Sequence, residues 1–293
     1  MTIRPQVRPG TGGYAPVVRT TARRTLAALG LVVCLVALVP AIAGGTASPS
    51  LQGVNFISVC AFSHRAPDDP IVFPRQPGMS HDHTFVGNSS TDAFSTPASL
   101  HASGTTCTRK GDTAAYWMPT LYADGQPVLP KQAVAYYRRT TTAALKPFPQ
   151  GLQMVAGNSH ATAPQNVRVV YWDCGDFSEV QRSSAIPACP DASTLSLHVR
   201  FPNCWDGKNL RSATQSHVAY STGVRCPRGY PVAMPALELV FHYPIAGSGH
   251  QLALASGGQD TGHADFVNSW DQPTLTRLVS SCLNRFRHCG TGS

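Results

Sequence analysis

"TLSLHVRFP", residues 194–202, decides the fold class. Side chains alternate faces along an extended chain, so Leu195, Leu197, Val199 and Phe201 fall on one side and Ser196, His198 and Arg200 on the other. That pattern describes a strand with one face in a core. Similar short runs recur along the chain: "AAYWMPTLYA" (114–123), "QAVAYYRRT" (132–140), "NVRVVYW" (166–172), "SHVAYST" (216–222), "ALELVFHYP" (236–244) and "HQLALAS" (250–256). Spacers rich in Pro, Gly, Asn and Asp separate them, and "ADGQ" at 123–126 marks a tight turn between two strands. Helical periodicity is scarce. One helix is expected near the end, where Leu275, Leu278, Val279 and Cys282 keep i, i+3, i+4, i+7 spacing behind Asp271 as N-cap and Pro273 in the first turn. The expected fold is mainly β: an antiparallel β-sandwich, jelly-roll-like, with long loops and one C-terminal helix.

The first 47 residues read as a leader and not as part of that fold. Five arginines and no acidic residue precede an apolar stretch, Leu26–Ala43, that ends in "AIAGGTA", with small residues spaced for cleavage after Ala43 or Ala47. Pro40 and the small-residue exit favour cleavage over a retained membrane span. Residues 48–293 are then a single secreted, extracellular domain. Of nine cysteines, Cys34 leaves with the leader and eight remain, an even number that in an exported chain reads as four disulfides. Sequence alone does not fix the connectivity of eight cysteines, but local closure favours Cys60 with Cys107, Cys174 with Cys189, Cys204 with Cys226 and Cys282 with Cys289. No C-x-x-C occurs, so a zinc ribbon or thioredoxin-type redox site has no support.

Charge excludes another class. The formal +8 rests on 23 basic residues against 15 acidic ones, and removing the five leader arginines leaves a net +3, too balanced for a nucleic-acid binder by electrostatics alone. Arginine outnumbers lysine 19 to 4, which reads as coding bias more than as an anion site. No G-x-S-x-G occurs, which disfavours a serine hydrolase.

Five ordered stretches, "PDDPIVFPRQPGMSHDHTFVGN", "AYWMPTLY", "CWDGKN", "SHVAY" and "HADFVNSWD", resemble the successive signatures of the family DUF1996, a domain of unknown function. The likeness spans roughly residues 55–285. It implies secretion and, because fungal relatives place the domain beside modules thought to attach to carbohydrate, a cell-wall or polysaccharide setting. It carries no agreed reaction. Two positions depart from the pattern: Thr84, where relatives tend to have Asp or Gln, and Thr214, where they often carry a further histidine.

Chemistry concentrates in the first, fourth and fifth of these stretches. In "HDHTFV", an extended backbone puts His81 and His83 on one face with Asp82 on the other, and two neutral imidazoles so placed converge on a single ion. His217 in "SHVAY" and His263 in "HADF" are the further candidate ligands, with zinc or copper as the metal; in "HADF", Asp265 repeats the i, i+2 arrangement. The alternatives are a metal-free polar cleft and purely structural hydrogen bonding. Carboxylates constrain glycoside chemistry, which needs two acidic groups. The chain has two glutamates, Glu179 and Glu238, which leaves Asp68, Asp69, Asp206 and Asp265 as the better candidates, each equally readable as a turn or cap residue. Glu238 and His242 share a strand face about 13 Å apart and form no dyad. Trp205, Asp206, Lys208, Tyr116 and Trp270 are the candidate substrate contacts, with core packing as the competing reading of the aromatics.

The expectation is a polysaccharide-associated protein with a histidine-lined cleft, a hydrolase or lyase of cell-wall or environmental glycans in which His81 or His83 is general base or metal ligand and Asp265 orients a histidine. The rival readings are a non-catalytic carbohydrate-binding protein and a zinc or copper protein without glycan chemistry.

Overall fold

A computed structural model describes residues 50–175, 182–190 and 194–291, and residues 48–293 cluster as one unit. The expected leader, and Glu179, lie outside the described residues. In chain order the strands are β1 (Asn55–Cys60), β2 (Phe62–Ala66), β3 (His83–Gly87), β4 (Ala115–Pro119), β5 (Leu121–Ala123), β6 (Gln126–Val128), β7 (Gln132–Arg138), β8 (Gln153–Gly157), β9 (Val170–Asp173), β10 (Leu195–Arg200), β11 (Cys204–Trp205), β12 (Val218–Ala219), β13 (Val232–Ala233), β14 (Ala236–Tyr243), β15 (Leu252–Leu254) and β16 (His263–Val267). Two α-helices, α1 (Pro97–His101) and α2 (Gln272–Leu278), a 3-10 turn at Gln259–Thr261 and a π-helical turn at Val279–Leu283 complete the set among the described residues.

The strands form two five-stranded antiparallel sheets, ordered β1-β7-β14-β10-β9 and β2-β3-β4-β16-β8, with two three-stranded sheets, β12-β11-β13 and β15-β5-β6, beside them. The main core lies between the large sheets. Leu197, Val199 and Phe241 of the first sheet and Tyr116, Met118 and Phe266 of the second belong to one buried cluster. Leu195, Leu197 and Val199 are fully buried, as the alternation requires. The opposite face of β10 is also covered, which alternation alone does not say. Ser196 bonds His242, and His198 lies between Asp173 and Glu238 in a polar network that stands in for solvent.

The second sheet is likewise buried on both faces. Every residue of β3, β4 and β16 is buried. Its outer face carries a smaller apolar cluster of Phe85, Leu100, Ala115, Trp117 and Val267, with Ile71 and Ala66 packed against it. Ile71 comes from the long β2–β3 connection and Leu100 from α1, so these two segments roof the sheet.

Local chemistry sets the punctuation. The turn at 123–126 joins β5 to β6 with Asp124 and Gly125 both at positive φ (51° and 78°), the two-residue hairpin geometry that favours Asp-Gly. At the far end, Asp271 Oδ1 accepts the Thr274 amide at 2.9 Å and starts α2, which bends into a wider turn over Val279–Leu283 and keeps Leu275, Leu278, Val279 and Cys282 on the core. All four disulfides close locally, 60–107, 174–189, 204–226 and 282–289. Among the described residues no helix is long and apolar enough to cross a membrane.

Candidate metal centre

The site is built on the outer face of the second sheet. His83 opens β3, and Phe85, two residues on, pairs across to Trp117 of β4, which pairs to Asp265 of β16. Directly paired residues share a face, and Asp265 and His263 share one by their i, i+2 spacing. The sheet register therefore sets His83, Trp117, Asp265 and His263 on a single surface. His81, just before β3, completes the group: its ring centroid lies 4.3 Å from that of His83 and 5.0 Å from that of His263, and His83 and His263 are 5.7 Å apart. Asp82 turns away, as expected, and receives Arg65 Nε and Tyr122 OH, each at 2.9 Å.

Backbone carbonyls fix the ring orientations. His83 Nδ1 donates to Asp68 O at 3.0 Å and His263 Nδ1 donates to Thr261 O at 2.9 Å, which leaves each Nε2 as the lone-pair nitrogen. His81 Nε2 and His263 Nε2 stand 3.2 Å apart. His83 Nε2 and both carboxylate oxygens of Asp265 are buried without a hydrogen-bond partner, an arrangement that costs on the order of 1–3 kcal/mol per group when left uncompensated. One oxygen of Asp265 lies 4.0 Å from His263 Nε2.

A second carboxylate joins from the roof. Asp69 is buried in the β2–β3 connection, where its Oδ1 accepts the amides of Ile71 (2.8 Å) and Val72 (2.9 Å). The indole N–H of Trp117 lies close enough to favour its ionised form without making a well-aligned bond. Ligand atoms of His81, His83 and His263 fall within 4.8 Å of one another, and so do those of Asp69, His83 and Asp265; His83 belongs to both triads. A third group, Cys60, Cys107 and Asp112, is no ligand set, because its cysteines are joined in a disulfide.

Burial dominates the electrostatics. It holds the His83 imidazole well below its ordinary range, with the neighbouring His81 and His263 acting the same way, and lowers His81 and His263, the latter to about 4. It pushes Asp69 up to about 6 and Asp265 well above the usual carboxylate range, where the charge of Asp69 adds to the effect. The result is three neutral imidazoles facing two buried acids, of which Asp69 is held by backbone amides and Asp265 has no donor.

Gly157 makes the approach between strands possible. It pairs with His263 across β8 and β16 at φ +86°, and a Cβ there would stand 2.5 Å from Gly262 O and 2.8 Å from His263 Cα. No other residue fits without moving β16.

Other expected residues go elsewhere. His217 does not join the group: its Nε2 donates to Gln153 O at 2.7 Å, at the end of β8 opposite the Gly157–His263 pair, about 13 Å away by strand rise. It sits instead beside Asp206, whose amide bonds the His217 carbonyl in the small β11–β12 sheet. Tyr116 and Trp270 are not substrate contacts; both are fully buried, Tyr116 donating to Asp112 and Trp270 Nε1 to Tyr137 OH. Trp205, half-buried, donates to Asn209 O at 2.6 Å, and Asp206 Oδ1 accepts the amides of Lys208 and Asn209, so the three residues shape a turn apart from the histidines. Asp69 was legible as a candidate acid. The network of His198, Asp173, Glu238 and Tyr171 was not: alternation put His198 and Glu238 outward, but only the register of β10 against β14 and β9 brings them together.

Three imidazoles and two carboxyl groups gathered about the buried, unpartnered His83 Nε2 and Asp265 oxygens define a histidine–carboxylate centre on a β-sandwich. By a match of the family model over residues 69–270, the chain belongs to DUF1996, a domain of unknown function, and that span contains every residue of the centre. No curated protein and no solved structure matches the chain.

Proposed function

We propose that the protein is an exported, metal-dependent hydrolase or lyase of cell-wall or environmental polysaccharide, with a zinc- or copper-type divalent cation held by the Nε2 atoms of His81, His83 and His263 and with Asp265 beside it. The observation that carries this reading is the set of nitrogen positions. Two imidazole nitrogens about 2.0–2.1 Å from one tetrahedral ion are separated by about 3.3 Å, and His81 Nε2 and His263 Nε2 stand at 3.2 Å. A proton shared between those two rings would satisfy them alone. It would leave His83 Nε2 unpaired, whereas a cation takes up all three rings, and water bound to it would donate to the otherwise partnerless Asp265. Nitrogen-rich sets favour zinc and copper over calcium or magnesium.

Three imidazoles leave a coordination position for water, whose proton a bound cation makes easy to remove. Asp69 is then the acid–base group on the roof side, and His81, the least buried of the three rings, marks the open side. The glycan class rests on the family's setting, and export on the leader and on four disulfides closed outside the reducing cytosol.

Elemental analysis of purified protein is expected to find zinc or copper near one equivalent, lost in His83→Gln and His263→Asn variants that keep the wild-type far-UV circular dichroism. Adding the metal back is expected to raise the melting temperature of stripped wild type and leave the variants unmoved. Metal-free protein whose melting does not respond to any first-row divalent ion overturns the proposal. Product release from a polysaccharide panel, abolished in the same variants, tests the catalytic half; retention without product assigns the protein to glycan binding.

A further inference from the structure

Three depressions on the surface share their walls. The largest, about 470 Å³, lies over the outer face of the first sheet. A second, about 350 Å³, follows edge strand β8 and shares Asn166, Val169 and Tyr220 with the first. A third, also about 350 Å³, is bounded by Ile71 and Val72 of the roof and shares Val155 and Gln215 with the second. Together they are one groove. Its middle runs along Val155 and Gly157, which pair directly with Asp265 and His263, one strand spacing, about 5 Å, from the centre.

The groove is cationic at both ends and uncharged in its middle. Arg138, Arg168 and Arg200 line one end and Arg211 the other, against Glu238 as the sole acidic residue in its walls. Glu238 is already engaged: Oε1 takes Tyr171 OH at 2.7 Å and Arg200 Nε at 3.3 Å, and Oε2 faces Arg138 at 3.3 Å. Arg168 and Arg211 are exposed and, among the described residues, unpaired, and Arg138 Nε is buried without a partner. Tyr220, 41 % exposed, offers a ring face where the first two depressions meet.

Resting on the glycan reading above, we infer that this groove binds an acidic polysaccharide, a uronic-acid chain whose carboxylates meet the arginines at both ends and whose middle crosses edge strand β8, one strand from the histidine–carboxylate centre. Planar carboxylates are the natural partners of guanidinium forks. A single exposed aromatic suits one stacked sugar ring, whereas a nucleic-acid strand needs successive stacking platforms, which the walls of the groove do not provide.

Calorimetric titration with oligogalacturonate of about six residues tests this, with a neutral galactan oligomer and oligo-dT as comparisons. Saturable oligogalacturonate binding is expected that weakens with salt and falls about tenfold or more in Arg168→Ala and Arg211→Ala, surface changes that leave melting unaltered. Equal binding of the neutral oligomer, tighter binding of oligo-dT, or unchanged affinity in both arginine variants overturns the inference. Repeating the titration on metal-stripped His83→Gln separates the two proposals. Binding retained there while the metal assay fails removes the metal centre alone; a normal metal assay with no oligogalacturonate binding removes the groove alone.

Discussion

Asp112 shows how a polar residue can be part of the core. It is fully buried, and both its oxygens accept from Tyr116 OH, at 2.8 and 2.9 Å. Tyr116 in turn meets Tyr137 OH, which accepts the Trp270 indole at 2.8 Å, so the chain runs Trp270 to Tyr137 to Tyr116 to Asp112. Burial pushes the Asp112 carboxyl from its ordinary 3.8 up to about 7, against the pull of bonds from Ser58, Tyr116 and Ala114. Since the folded value lies above the unfolded one, the folded protein holds an extra proton between about pH 4 and pH 7. The contribution is therefore present below pH 4 and lost as pH rises through 7, a change on the order of 4 kcal/mol. Denaturant unfolding of wild type against Asp112→Asn is expected to show the variant gaining relative stability from pH 5 to pH 8; a constant difference would refute the assignment. This network also shows why core packing, the competing reading of Tyr116 and Trp270, describes both of them. "AAYWMP" is a continuous apolar run, the mark of a strand buried on both faces, whose side chains have no exposure to a polymer.

At the scale of elements, the site depends on how β8 and β16 meet. The i, i+2 rule made the pairing of His81 with His83, and of His263 with Asp265, legible from the sequence, because it uses only strand geometry. What brings the two pairs together is the order β3-β4-β16, with β4 as the spacer, and strand order is a long-range property that no local pattern states. The misplacement of His217 has the same origin: "SHVAY" reads as a strand, but it pairs with β11 in a separate small sheet. Gly157 gave no signal beyond being a glycine after an apolar run. Gly157→Ala forces a Cβ to within 2.5 Å of the Gly262 carbonyl at a positive φ, so β8 must separate from β16 at His263. The expected result is a loss of ~2–3 kcal/mol in stability together with weaker metal retention, measured by denaturation and by competition with a chelator. A variant of wild-type stability and metal content would show that the strands tolerate the side chain and that the close pairing is not required.

For the whole molecule, the disulfides and the groove mark the two limits of inference from sequence. The bridges were legible because each closes a short stretch, with separations of 47, 15, 22 and 7 residues, and short loops are the easiest to close. The groove was not, since its arginines come from β7, the β8–β9 connection, β10 and the loop before β12, and composition counted them only as a bias toward arginine. Separation also predicts which bridge matters most. In the chain-entropy model a cross-link stabilises by restricting the unfolded chain, by about 4 kcal/mol for a loop the size of 60–107 and about 2.5 kcal/mol for one the size of 282–289. Cys60–Cys107 joins the end of β1 to the segment that leads into β4, and thus links the two large sheets, whereas Cys282–Cys289 ties only the turn after α2 to the chain end. Replacing each pair with alanine is expected to lower unfolding free energy more for 60–107 than for 282–289, by about 1.5 kcal/mol. The reverse order would mean that the chain end contributes native packing beyond its loop length, since the anchoring bonds from Cys289 N to Asn55 O and from Ile57 N to Gly290 O would be lost with the smaller bridge.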